Sequence, residues 1–224
     1  MNNLVDKIRK AKLRLFNRQN SYREQIEYFK NPPKQPVKGL NVSPLRYAEQ
    51  SLNVRSQFIC QLFDNLILKD SSIIELGCGI GRNLNYLCGE GYKNIYGIDV
   101  NEEAITKAPI IYPSLKEISG NLSIGSLEDS LKEFRDNQFD VTFTMCCLMH
   151  IHKEVEEEVF KAIERITKKY LITIEFEDSI HPTHFSRNYN KVFEKLGFEM
   201  LEEYNEKKVK DIFRSDVKVR ILKK

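Results

Sequence analysis

No apolar stretch of the chain approaches the ~20 residues that a membrane span requires. The opening stretch MNNLVDKIRKAKLRLF is charged throughout and lacks the apolar core of a signal peptide. Both absences lead to the expectation of a cytoplasmic protein without a transmembrane segment. The five cysteines (Cys60, Cys78, Cys88, Cys146 and Cys147) include no CxxC pair, and an odd count does not suit a disulfide framework. The cysteines offer no zinc spacing, and the His181-x-x-His184 pair, though near carboxylates, has no further ligand placed by spacing, so no metal is expected. Internal repeats and low-complexity tracts are also missing. Charge is unevenly spread. Residues 1–50 carry 11 Lys/Arg against 4 Asp/Glu, whereas the whole chain carries 35 against 32. The basic character therefore lies in the first segment.

What is present reads as two regions, a helical N-terminal cap over 1–69 and a larger domain over 70–224. Leu4, Ile8, Ala11 and Leu15 keep helical spacing, so residues 4–30 read as one or two basic amphipathic helices, stopped by Asn31-Pro32-Pro33. A further helix is expected from about Pro44 to Leu68, with Phe58, Leu62 and Leu66 on one face. From residue 71 strands alternate with helices. Strands are expected at 73–76, 94–100, 122–124, 139–147 and 170–176, and two more at 198–204 and 217–222. Helices are expected at 83–88, from 102, at 155–168 and at 188–196. This alternation predicts an α/β fold, a mostly parallel sheet covered on both faces, with an antiparallel pair at its end.

The stretch SSIIELGCGIGRN (71–83) places three glycines directly behind the first strand. In an open parallel sheet a ligand binds at the carboxyl ends of the strands, where glycines allow close backbone approach. A dinucleotide fingerprint would need glycine at position 82, which is arginine; here the third glycine is Gly81. Glu75 sits just before the turn, where a carboxylate repels pyrophosphate and attracts a cationic centre. Asp99 closes the second strand in YGIDV, a position suited to ribose hydroxyls. Cys78 reads as a small buried residue of the turn rather than a nucleophile. Arg82 and Asn83 read as the helix start, with Asn83 a candidate N-cap.

ELGCGIGRN, then YGIDVN, then FDVTFTMCCLMHI resemble the class I S-adenosylmethionine-dependent methyltransferases, in order and spacing, over roughly residues 70–222. The resemblance implies a Rossmann-like seven-stranded sheet with an antiparallel last strand and S-adenosylmethionine as cofactor. It implies cofactor contacts at Glu75, Gly77, Cys78, Gly79, Gly81, Asn83, Asp99, Val100, Ser126, Leu127, Met145 and Cys146. Ser126 departs from the aspartate common there, but a hydroxyl also accepts a hydrogen bond. On the acceptor side His150 is the candidate general base, with His181 and His184 as further candidates. A loop-orienting role for His150 stands beside that reading. His152 is expected on an exposed helix start. Arg46, Tyr47, Arg55, Arg187 and Tyr189 are candidate acceptor contacts.

The Asn-Pro-Pro-Tyr signature of DNA-base and amide methyltransferases is missing after the fourth strand, which reads MCCLMH, and no target-recognition domain accompanies the core. DNA is therefore not expected as a partner. The basic first segment reads most plainly as a solvated helical face; the sharper reading is attraction of an anionic small-molecule acceptor, phosphorylated or nucleotide-linked, with a membrane surface third and RNA weakly supported without a stacking platform. The HPTHFSRNY stretch is also similar to methyltransferases of bacterial surface-polysaccharide clusters, some of which modify sugars or phosphoramidates. Oxygen methylation is favoured. The alternatives are a non-catalytic cofactor-binding subunit, a small-molecule N-methyltransferase and, against the glycine spacing, a nicotinamide oxidoreductase. Oligomeric state is left open.

Overall fold

The computed structural model describes residues 21–32, 53–177, 183–204, 209, 211–213 and 216–224. Helices α1 (Tyr22–Lys30) and α2 (Asn53–Leu66) precede the sheet domain. The segments expected as helix over 4–20 and 44–52 lie outside the described residues. Helix α1 begins at a capping box. The Ser21 hydroxyl accepts from the Glu24 N–H, and the Glu24 carboxylate accepts from the Ser21 N–H, so two end donors are satisfied.

The sheet domain runs β1 (Ile73–Leu76), α3 (Arg82–Gly89), β2 (Ile95–Asp99), α4 (Glu102–Ile111), β3 (Leu122–Ile124), α5 (Leu127–Ser130) and β4 (Phe139–Met145). It continues with α6 (Glu156–Ile166), β5 (Thr167–Phe176), α7 (Tyr189–Glu194), β6 (Glu199–Tyr204) and β7 (Val217–Lys223). The expected α/β class holds. Seven strands lie in the order β3-β2-β1-β4-β5-β7-β6, all parallel except β7, which pairs antiparallel with both β5 and β6.

Strand β1 is buried on both faces, so its four residues are all of core character or desolvated. Strand period puts Ile73 and Glu75 on one face and Ile74 and Leu76 on the other. Ile73 joins an apolar cluster with Phe58 and Phe63 of α2, Leu84 of α3 and Phe143 of β4. Ile74 and Leu76 join a second cluster with Val159 and Phe160 of α6 and Phe193 of α7. The sheet is thus sandwiched between two helical layers. Its strand order reverses at β1, with β2 on one side and β4 on the other. The carboxyl ends of those strands open the crevice where ligands of such sheets bind.

At the sheet's far edge, Arg220 of β7 donates to both oxygens of Glu177 and, through Nε at 2.6 Å, to Glu203 of β6. Arg220 and Glu177 are both buried. This charge network ties the antiparallel strand to its two neighbours.

Candidate active site

The turn after β1 holds Gly77, Gly79 and Gly81 at φ of +72°, +54° and +74°. At Gly77 a side chain is doubly excluded, because a Cβ would stand 2.5 Å from Cys147 Sγ. At Gly79 a Cβ would meet nothing within 4 Å, which leaves the backbone bare toward the cavity. The Gly77 and Cys78 N–H groups both donate to the Ile98 carbonyl, at 2.8 and 2.9 Å, and so tie the turn to β2. Cys78 is buried against Gly97, and burial pushes its thiol well above the ordinary range, as suits a packing residue.

A cavity of about 290 Å³ opens at this point. Glu75, the glycine turn from Gly77 to Gly79, Asn83, Asp99, Val100, Ser126, Leu127, Met145, Cys146, His150 and Arg55 all line it. The sheet supplies this convergence, since all of these residues but Arg55 lie at or beyond the carboxyl ends of β1, β2, β3 and β4, and Arg55 comes from α2. Gly81 does not line the cavity but caps α3.

Glu75 is buried, and desolvation pushes its carboxyl up to about 8. Its Oε1 accepts from Asn83 Nδ2 at 2.6 Å, while among the described residues Oε2 has no partner. Asn83 is therefore not the N-cap of α3. It sits inside the helix, and Gly81 holds the cap position without a side-chain bond. Ser56 of α2 accepts from Arg82 Nε at 3.3 Å and donates to Asn83 Oδ1 at 2.7 Å. The amide is thereby oriented with its N–H₂ toward Glu75. Asp99 accepts from the Gly79 N–H at 2.7 Å through Oδ2 and from the Asn101 N–H at 2.8 Å through Oδ1. Each oxygen keeps a second lone pair. Burial raises this carboxyl as well, opposed by those backbone bonds. Ser126 donates to Asp129 at 3.1 Å, so its oxygen stays an acceptor.

Residues 74–172 match the methyltransferase domain family. Curated relatives include the mRNA cap guanine-N(7) methyltransferases of Candida glabrata and Saccharomyces cerevisiae. The first is 29% identical over 58% of this chain and 34% of that protein, the second 29% over 56% and 31%. The chain thus spans about a third of the length of these relatives. Among solved structures, magnesium protoporphyrin IX methyltransferase from Synechocystis, with bound S-adenosylmethionine, aligns at a TM-score of 0.63 and 14% identity, over 92% of this chain and 100% of that one. A TehB-like methyltransferase from Corynebacterium glutamicum aligns at 0.59 and 19%, over 81% and 98%.

The cofactor of the methyltransferase domain is S-adenosylmethionine, and the donor set of the cavity fits it. An orphaned, buried carboxylate oxygen on Glu75 suits an ammonium. The bare Gly79 backbone permits close approach, and Asp99 retains lone pairs for hydroxyls.

The acceptor side is built by the loop after β4. Cys146 takes φ +57°, uncommon for a residue with a Cβ, and turns the chain out of the strand. Burial pushes its thiol up to about 12, so it is no nucleophile. His150 follows, with Nδ1 3.1 Å from the Thr183 carbonyl. A carbonyl only accepts, so Nδ1 carries the proton and Nε2 is the basic nitrogen. His184 stands edge-on to the His150 ring, centroids 4.8 Å apart, outside the cavity lining. His181, Arg46 and Tyr47 lie outside the described residues. Arg55 reaches the cavity with Nε fixed 3.1 Å from the Ile212 carbonyl.

Three expectations are corrected. His152 is buried and lines the cavity, packed against Tyr22 and Phe185 instead of lying on an exposed helix start. Arg187 does not reach the cavity. It is buried, its Nε donates to Glu156 at 2.6 Å, and its terminal nitrogens donate to the Leu148, Phe185 and Ile151 carbonyls. Tyr189 is fully buried in the core beside Phe160, not in the cavity.

Sequence reasoning missed the residues by which α1 covers the site. Gln25 Nε2 donates to the His150 carbonyl at 2.7 Å, and Phe29 packs on the His150 ring at 4.6 Å. Asn101 donates to the Phe29 and Lys30 carbonyls at 3.2 and 3.3 Å. Helical spacing marked α1 as amphipathic, but carried no sign of what its inner face would meet. Among the described residues no group of His, Cys, Asp and Glu is arranged to hold a metal ion, and no helix is long and apolar enough to cross a membrane.

Proposed function

We propose that the protein transfers a methyl group from S-adenosylmethionine to a small, polar, anionic acceptor, with oxygen the favoured atom. Phosphorylated, nucleotide-linked and sugar compounds form this class, including sugars or phosphoramidates of surface polysaccharides. The observation that carries the reading is the lining of one cavity by Glu75, Asp99 and His150. When bound, the cofactor supplies an electrophilic methyl on a sulfonium. Glu75 meets its positive amino end, Asp99 its ribose hydroxyls, and the Gly79 backbone allows the approach. Helix α1 shields the reacting atoms from water through Gln25 and Phe29. His150 Nε2 takes the proton of an attacking hydroxyl, held in place by its Nδ1–H bond to Thr183. Arg55 and Arg82 line the cavity, and the basic first segment draws anions toward it.

A second reading, methylation at a ring nitrogen of a nucleotide base, draws support from the cap guanine-N(7) relatives. Such a nitrogen brings its own lone pair and needs no base. A screen with methyl-labelled S-adenosylmethionine across phosphorylated sugars and nucleotides identifies the acceptor. On a hydroxyl acceptor, His150→Ala lowers kcat by about 10²–10⁴ and removes the fall in rate on the acidic side of the pH profile. Full turnover by His150→Ala on that acceptor overturns the base assignment, whereas label found only on a base ring nitrogen favours the second reading.

A further inference from the structure

The loop 147–151, which carries His150, has an unusual backbone ledger. Its first three N–H groups all go to one side chain. Glu175 Oε1 accepts from Cys147 N at 3.0 Å and Leu148 N at 3.1 Å, and Oε2 accepts from Met149 N at 3.3 Å. Thr144 Oγ1 completes this nest at 2.8 Å. The carbonyl side of the same loop is held by Arg187, which donates to Leu148 O at 3.2 Å and also to Ile151 O. Glu175 is wholly buried and Arg187 nearly so, and no ion pair between them is seen; Arg187 is paired with Glu156 instead. A buried carboxylate is costly unless its hydrogen bonds are met. Here every bond that meets it comes from the His150 loop or from the strand leading into it.

We propose that Glu175 and Arg187 are positioning residues for His150, gripping its loop from the N–H side and the C=O side so that the imidazole is presented to the acceptor in one place. The assignment rests on the reading of His150 as an acceptor-side base. The β4 strand alone cannot do this, because the chain leaves it at Cys146 in a left-handed conformation. From there the loop has few backbone partners of its own: the His150 and Ile151 N–H groups close local turns, and Phe185 N reaches Met149 O at 2.7 Å. Glutamine in place of Glu175, which trades an accepting oxygen for an N–H₂, or lysine in place of Arg187, which lacks the guanidinium fork, leaves several of these groups unmet. That defect falls on the loop, not on the glycine turn that serves the cofactor.

The test uses the full chain labelled with ¹⁵N-histidine, which has only four histidines to resolve. In Glu175→Gln and Arg187→Lys, the His150 Nδ1–H bonded to Thr183 exchanges with solvent about tenfold faster or more. S-adenosylhomocysteine affinity stays within about twofold, because its seat is untouched. On the acceptor found by screening, kcat falls about tenfold or more while the KM for S-adenosylmethionine holds. Thr144→Val, which removes one donor from the nest, shows the same His150 change more weakly and guards against a variant that fails to fold. An unmoved His150 signal in folded variants overturns the proposal. So does a parallel loss of S-adenosylhomocysteine affinity and of β1–β3 amide shifts, which marks a merely structural role. Failure of the wild type to bind S-adenosylhomocysteine overturns the methyltransferase reading instead, and leaves the His150 exchange result to judge the grip.

Discussion

Glu75 concentrates the site's chemistry in one carboxyl. Its acid form is favoured by burial, and its one oriented neighbour, Asn83, compensates only one oxygen. With a folded value of about 8 against an ordinary 4.5, the group contributes stability that is complete below pH about 4.5 and lost as pH rises through 8. Glu175, pushed up to about 7 by burial, adds in the same direction over a lower window. The melting temperature of the ligand-free protein is therefore expected to fall between pH 5 and 8, and Glu75→Gln to flatten that fall in a thermal scan across pH. A bound ammonium reverses the preference, because it favours the ionised carboxylate. S-adenosylhomocysteine affinity then rises from pH 6 to 8 in the wild type, and Glu75→Gln loses that rise together with about tenfold in affinity at pH 8. A calorimetric titration at several pH values decides it. Glu75 was legible in sequence, since an acid before a glycine turn is a local pattern. Asn83's role was not. Its partners are Ser56 and Glu75, and only packing of α2 against α3 brings Ser56 within reach.

At the scale of elements, α1 and β7 do different work. Helix α1 touches the site mainly through side chains, among them Gln25 and Phe29, and its own end is satisfied locally by the capping box. Gln25→Ala is thus expected to leave the sheet's melting temperature within about 2 °C, while S-adenosylhomocysteine dissociates roughly fivefold faster in stopped-flow measurement. Strand β7 is the reverse case. Arg220 is locked between Glu177 and Glu203, so Arg220→Met leaves the buried Glu177 carboxylate, among the described residues, with only the Tyr189 N–H, at 2.9 Å. A loss of about 3–5 kcal/mol is expected in denaturant unfolding, because removing one partner of a buried pair strands the other. The elements from residue 71 onward were readable because strand and helix periods differ. Their ends were not: β5 begins at Thr167, inside a stretch read as helix, because Lys168 and Lys169 reach Asp140 alongside β4. His152 and Arg187 were misjudged for a related reason. Polar residues near helix starts are usually solvated, but here the loops 147–151 and 183–187 close over each other and bury both.

For the molecule as a whole, the cavity at the switch point between β1 and β4 couples ligand binding to stability. At a hundredfold excess over its dissociation constant, S-adenosylhomocysteine adds about 2.7 kcal/mol. For a chain of this size that raises the melting temperature by about 5–10 °C. Asp99→Ala is expected to lower the ligand-free value, because the Gly79 and Asn101 N–H groups lose their acceptor, and to abolish most of the shift; a shift that survives in Asp99→Ala places the ribose elsewhere. The fold class was determined by the sequence alone and the proposed cofactor seat was legible in it, because each rests on local signals: period, glycines at the end of a strand, and an acid at the next strand's end; the strand order came only from the structure. The acceptor side was decided only by tertiary structure. There Gln25, His150, Glu175 and Arg187 meet across separations as long as 125 residues between Gln25 and His150. No local pattern records which buried donor will find which acceptor, since the need to satisfy each polar group is settled only once the surrounding core has closed. So SSIIELGCGIGRN points to a methyl donor by itself, whereas the place of His150, the proposed base, depends on a loop bonded by Glu175 and Arg187, distant from it in the chain.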